Sequence, residues 1–133
     1  MYRYFIVIAF LAAVPTGALA FSSGPVPERA GAPVDGGVTC AACHRGSDVN
    51  DGRGRLMILA RDYKPGVRQR VRVVLEHPDA QRWGFQITAR LLSNPAQQAG
   101  SFAVTEINQV RCADATYAPC NGQREFAERF DPL

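Results

Sequence analysis

Between Val67 and Leu91 apolar and polar positions alternate. Val67, Val71, Val73 and Leu75 share one parity while Arg68, Arg70, Arg72 and Glu76 take the other, the period of a strand with a single apolar face. Trp83, Phe85, Ile87, Ala89 and Leu91 alternate in the same way with Gly84, Gln86, Thr88 and Arg90, and His77-Pro78-Asp79-Ala80 between the runs is turn chemistry. The two runs are expected to be antiparallel neighbours, with Trp83, Phe85 and Ile87 packed on Val71 and Val73 and the arginines outside. A shorter apolar run, Leu56 to Leu59, precedes Tyr63-Lys64-Pro65-Gly66, where Pro and Gly suit the central positions of a type II turn. Weaker strand signals lie at Phe102 to Thr105, Ile107 to Cys112 and Phe126 to Phe130, and Pro95 and Gly100 break the connection before them. Five or six short strands without a convincing amphipathic helix predict an all-β fold, an antiparallel β-sandwich.

The N-terminus follows another rule. One basic residue, Arg3, precedes the apolar run Phe5 to Val14, and Ala18-Leu19-Ala20 supplies the small residues a signal peptidase accepts. Residues 1–20 are expected to be a signal peptide, with the mature chain starting at Phe21. The apolar run is about half the roughly 20 residues a spanning helix needs, so no stable membrane insertion is expected after cleavage. Residues 21–53 are rich in Gly, Pro and Ala without periodicity and read as an extended linker; residues 54–133 form the β domain. Export predicts a periplasmic, secreted or cell-surface location, where disulfides persist. Apolar residues at 47% and charged residues at 20% of 133 positions suit one packed domain. A net charge of +3 is too small to imply a nucleic-acid partner.

The segment with the most chemistry is Cys40-Ala41-Ala42-Cys43-His44, inside the linker. Two thiols three positions apart suit thioether bonds to the two vinyl groups of a haem, and the adjacent imidazole suits the iron. The site residues expected on this reading are Cys40, Cys43 and His44, the last as iron ligand, with Met57 or His77 as second axial ligand. The competing reading is a loop whose four cysteines are structural. Cys112 and Cys120, eight positions apart across Pro119, are expected to pair on either reading. A zinc site would need His77 or Asp48 as fourth ligand. A thioredoxin-like pair lacks the α/β context it requires. Asp48-Val49-Asn50-Asp51-Gly52 fails as a calcium loop, because Gly stands fifth and Leu59 occupies the twelfth place. The Arg68, Arg70, Arg72 stripe reads as a solvated face, with anionic polysaccharide or haem propionates as charge-compatible partners. Neither a Ser-His-Asp constellation nor a paired-carboxylate signature stands out, so no enzyme is expected.

Gly31-Ala32-Pro33, Thr39 to Gly46, Asn50-Asp51-Gly52 with Gly54, Tyr63-Lys64-Pro65-Gly66, Arg82 to Ala89 and Gly100-Ser101-Phe102 resemble, in order and spacing, bacterial secreted proteins grouped as choice-of-anchor V domains, which are similar to the Reeler domain. The resemblance covers roughly residues 31 to 130. It implies an immunoglobulin-like β-sandwich with an adhesive or recognition role, and a CxxCH segment read as a haem c site. It also implies further strands, a His shortly after the stretch matching Phe126-Ala127-Glu128, where this chain has Arg129, and a sorting tail, so a truncated domain is expected. Two functions follow. The first is an exported module with a covalent c-type haem, acting in electron transfer or small-ligand sensing with a redox partner. The second is a disulfide-stabilised cell-surface adhesion or recognition module without haem, acting on a cell-envelope ligand.

Overall fold

The computed structural model describes residues 24–46 and 48–130; the expected signal peptide and its cleavage site lie outside them. The described chain is all-β, with two antiparallel sheets and only isolated 3-10 turns as helical structure. β1 (Arg55–Leu59) pairs with β2 (Arg72–Glu76) as a ribbon, Leu56 opposite Leu75 and Ile58 opposite Val73. β3 (Gly84–Ile87), β4 (Gln109–Cys112) and β5 (Glu125–Phe130) form a three-stranded sheet in the order β3-β5-β4. The ribbon is joined by a long loop whose turn has Val67 N–H donating to Lys64 O at 3.2 Å with Gly66 at φ +70°, the positive angle that a type II turn requires at its third residue.

Three expectations from alternation need correction. The run starting at Val67 becomes a strand only at Arg72. Its partner is β1, while β3 pairs with β5, Phe85 opposite Arg129 and Ile87 opposite Ala127. Phe102 to Thr105 forms no strand. The core consequently lies elsewhere: Val110, Cys112, Cys120, Phe126 and Ala127 are buried, with Phe102 and Ala118 packed against the cysteine cluster. Phe85 and Ile87 are half-buried, and Val71 is exposed. Period two assigns parity but not partners, and β5 offers the central position where both edges are hydrogen-bonded.

Opposed residues of an antiparallel pair share a face. One face of the three-stranded sheet therefore carries Ile87, Ala127, Val110 and Cys112, and the other carries Gln86, Gln109, Arg111, Phe126 and Glu128. On the first, Cys112 and Cys120 are joined by the expected disulfide, with S–S 1.99 Å. Ala118 N–H donates to Val110 O and Cys112 N–H to Thr116 O, folding residues 113–119 back over β4. The second face is polar yet buried. Glu128 is inaccessible, its Oε1 accepting from Arg111 Nε at 3.0 Å, and Arg111 donates further to Tyr117 Oη at 2.6 Å and Ala115 O at 3.3 Å. Such a pair persists because its remaining hydrogen-bonding capacity is met.

Candidate functional site

The CxxCH segment forms a turn set on the polar face of the three-stranded sheet by residues that precede it. Gln86, in β3, accepts from the Arg29 backbone N–H at 2.8 Å and donates from Nε2 to Val26 O at 3.1 Å. Ala30 then bridges Thr39, and Gly31 N–H donates to Val38 O at 2.9 Å, closing a small loop. Gly31 sits at φ +74°, and a Cβ there would lie 3.3 Å from Thr39 Cγ2, so glycine serves both the left-handed backbone and the close approach. Within the loop, the 3-10 turn Pro33–Asp35 ends at Gly36, φ +76°. The buried Asp35 carboxylate meets Arg90 Nη2 at 3.4 Å and Arg124 Nη1, and Arg124 Nη2 also meets Glu28. The stretch expected as a linker is thus tied to β3 through Gln86 and to the chain beside β3 and β5 through Arg90 and Arg124. Burial pushes the Arg90 guanidinium pKa down, and its carbon lies 5.5 Å from the centre of the Phe126 ring. Nε and Nη1 of Arg90, with Arg29 Nε and Gln98 Nε2, are buried donors without a protein acceptor among the described residues.

The motif leaves this loop at Thr39. Its hydroxyl accepts from Ala41 N–H at 3.3 Å, capping the 3-10 turn Cys40–Ala42, the role for which a short hydroxyl side chain is suited. Cys40 O accepts from Cys43 N–H at 3.1 Å and His44 N–H at 2.9 Å, so one carbonyl gathers the three chemical residues into a single turn. Cys40, Cys43 and His44 are all exposed, and both thiols are free. The Cys40 thiol has a weak contact with Arg29 O at 4.0 Å.

The expected second ligands stand on the ribbon. Met57, the least exposed residue of β1, lies opposite Val74, on the face away from Leu56 and Ile58. His77 follows β2, with its ring over Gly54: a Cβ there would be 3.3 Å from His77 Cδ2. Its Nδ1 accepts from Asp79 N–H at 3.1 Å. In the neutral ring this places the proton on Nε2, the tautomer unable to ligate through that nitrogen. His77 lines a shallow groove of about 520 Å³ together with Asp51, Arg53, Glu76 and Trp83. Asp51, Arg53 and Asp79 are linked there, and hydrogen bonds from Arg53 hold the Asp51 carboxyl below its usual pKa. Among the described residues no group of three or more His, Cys, Asp and Glu comes together to hold a metal ion, so Cys40, Cys43 and His44 are not joined there by His77 or Asp48.

The residues that place the motif were invisible to periodicity. Gln86 and Arg90 fall on the parity assigned to solvent, and their partners lie 57 and 55 positions away. No protein-family model, curated protein or solved structure matches this chain.

Proposed function

We propose that the protein is an exported, non-enzymatic binding module that holds one c-type haem covalently at Cys40, Cys43 and His44 and works in electron transfer or small-ligand sensing at the bacterial cell envelope. The observation that carries this reading is the division of the cysteines: Cys112 and Cys120 are joined and buried, while Cys40 and Cys43 are free and exposed on one turn beside an exposed His44. The donor set fits the group. Each thiol would add across a vinyl group, its S–H bond and the C=C π bond giving way to one C–S and one C–H bond with no external oxidant or reductant, and the imidazole would be a ligand to iron. Bound there, haem supplies a one-electron centre or a site for a small ligand.

The protein's own contribution is placement. Thr39 caps the turn, Cys40 O gathers the amides of Cys43 and His44, and Gln86 and Asp35 fasten the preceding loop to the sheet. Of the two candidate second ligands, His77 would have to move its ring proton to Nδ1 and give up the hydrogen bond from Asp79 before Nε2 could bind iron, a cost that Met57 would not carry. The family reading adds that the two sheets belong to one immunoglobulin-like sandwich, in line with their antiparallel pairing and with the resemblance to choice-of-anchor V and Reeler-like proteins.

The test is expression with export and haem-attachment machinery, followed by absorbance and intact-mass measurement. A red protein carrying one haem that survives acid-acetone extraction, and that Cys43→Ala leaves weakly attached, is expected. A colourless protein of the polypeptide mass alone would overturn the proposal and favour the adhesion module.

A further inference from the structure

The β1–β2 ribbon and the loop from 60 to 71 have a surface that the haem reading leaves unused. Residues 55–72 hold six of the chain's fifteen Lys and Arg, namely Arg55, Arg61, Lys64, Arg68, Arg70 and Arg72, against one of its twelve Asp and Glu, Asp62. The remainder, with nine basic and eleven acidic residues, is net negative. All six cations are exposed, and among the described residues none makes an ion pair, whereas Arg53, Arg90, Arg111 and Arg124 all do. Large apolar side chains are interleaved with them in the open: Leu56 is 61% exposed, Ile58 53%, Val67 57% and Tyr63, at the loop, 78%. Leu56 and Ile58 share one ribbon face and Arg55 and Arg72 stand on the other, so the cations that can act beside the apolar pair are Arg61, Lys64, Arg68 and Arg70 of the loop at the ribbon's end; no strand of the three-stranded sheet approaches the ribbon within 8 Å between Cα atoms.

From this pattern we propose that the ribbon and its loop dock onto an anionic lipid bilayer, adsorbing without spanning it. A bilayer with acidic headgroups is the occupant that uses both components of the surface. The heads of Arg61, Lys64, Arg68 and Arg70 in the loop meet phosphates while their stems lie along apolar surface, Tyr63 suits the headgroup level, and Leu56, Ile58 and Val67 reach the acyl boundary. A polyanionic chain would engage the cations and leave the apolar side chains in water. A second copy would bring two like-charged surfaces together, which opposes association. The proposal stands independently of haem attachment.

The test is co-sedimentation of the exported protein with vesicles of phosphatidylcholine, with or without about one third phosphatidylglycerol. Partitioning at least about tenfold stronger onto the acidic vesicles, falling as salt is raised, is expected. Lys64→Glu with Arg68→Glu, in the loop and outside both strands, should reduce it about tenfold or more, as should Leu56→Ser with Ile58→Ser. Leu92→Ser, which alters a 99% exposed residue outside the ribbon and its loop, should leave it unchanged. Far-UV circular dichroism checks that each variant is folded. Any contribution from residues 1–20 is common to all variants and cancels. Three results would overturn the proposal: equal binding to both vesicle types, polyanion binding with vesicle binding indifferent to Leu56→Ser and Ile58→Ser, or no vesicle binding with self-association abolished by Ile58→Ser.

Discussion

Gln86 Oε1 holds the backbone N–H of Arg29 at 2.8 Å, across 57 positions of chain. Because Ala30 bridges Thr39 and Thr39 caps the cysteine turn, this one side chain anchors the loop that leads into the Cys40 turn. Gln86→Ala removes both an acceptor and a donor to the loop. Hydrogen exchange at the Gly31 and His44 amides should accelerate by about tenfold or more, since each lost bond contributes about 1 kcal/mol. Cys112, on the opposite face, should keep its protection. Unchanged exchange at Gly31 would show that Asp35 alone positions the loop.

Glu128 is the buried counterion of Arg111. Glu128→Leu leaves that guanidinium uncompensated and should cost about 3–5 kcal/mol. Adding Arg111→Met should recover part of the loss, so the double variant lies above the sum of the singles by urea denaturation. Strict additivity would mean that the two side chains do not act as a pair.

Burial ranks the aromatic residues differently from alternation. Phe126 is inaccessible beneath Arg90, whereas Phe85 is half-buried and Val71 exposed. Phe126→Ala should cost about 3–5 kcal/mol and Val71→Ala under about 0.5 kcal/mol, with Phe85→Ala between them. Urea midpoints placing Phe85→Ala above Phe126→Ala in cost would contradict the described core.

The thiols should divide by accessibility. In haem-free folded protein, an alkylating reagent should modify Cys40 and Cys43 and leave Cys112 and Cys120 untouched until reduction and unfolding. Replacing both disulfide cysteines by Ala should cost about 2–4 kcal/mol. Mass spectrometry showing fewer than two reactive thiols would indicate a Cys40–Cys43 bridge in solution.

Asp114 gives a pH signature. Hydrogen bonds from the Thr116 hydroxyl, then the Gln123 amide and the Thr116 backbone, lower its pKa from 3.8 to about 2. A depressed carboxylate contributes stability that is full above its unfolded pKa and lost as pH falls through the folded one. The turn between β4 and β5 should therefore loosen between about pH 4 and pH 2. The Asp114 carboxyl resonance should titrate near 2, with the Thr116 amide shifting in step; a midpoint near 4 would mean that those bonds are absent in solution.

Several features were legible from local rules. β1 and β5 arise where short apolar or alternating runs end in turn residues. Pro65-Gly66 makes its turn because only the left-handed angle at Gly66 closes it, and Cys112 meets Cys120 because eight positions around Pro119 are enough to return the chain. The CxxCH segment owes its compactness to neighbours, with Thr39 and Cys40 supplying its hydrogen bonds. Tertiary structure decided the rest. Parity states which residues of a strand share a face, but the covering surface decides which face is buried. On β3 and β5 that surface is residues 24–39, whose Glu28 and Asp35 meet Arg124 and Arg90 at separations of 55 to 96 positions. The Asp35 countercharge turns Arg90 inward, backbone groups of Val26 and Arg29 do the same for Gln86, and Arg111 on the adjacent strand compensates Glu128, while the better alternation around Val67 and Val71 stays in the open.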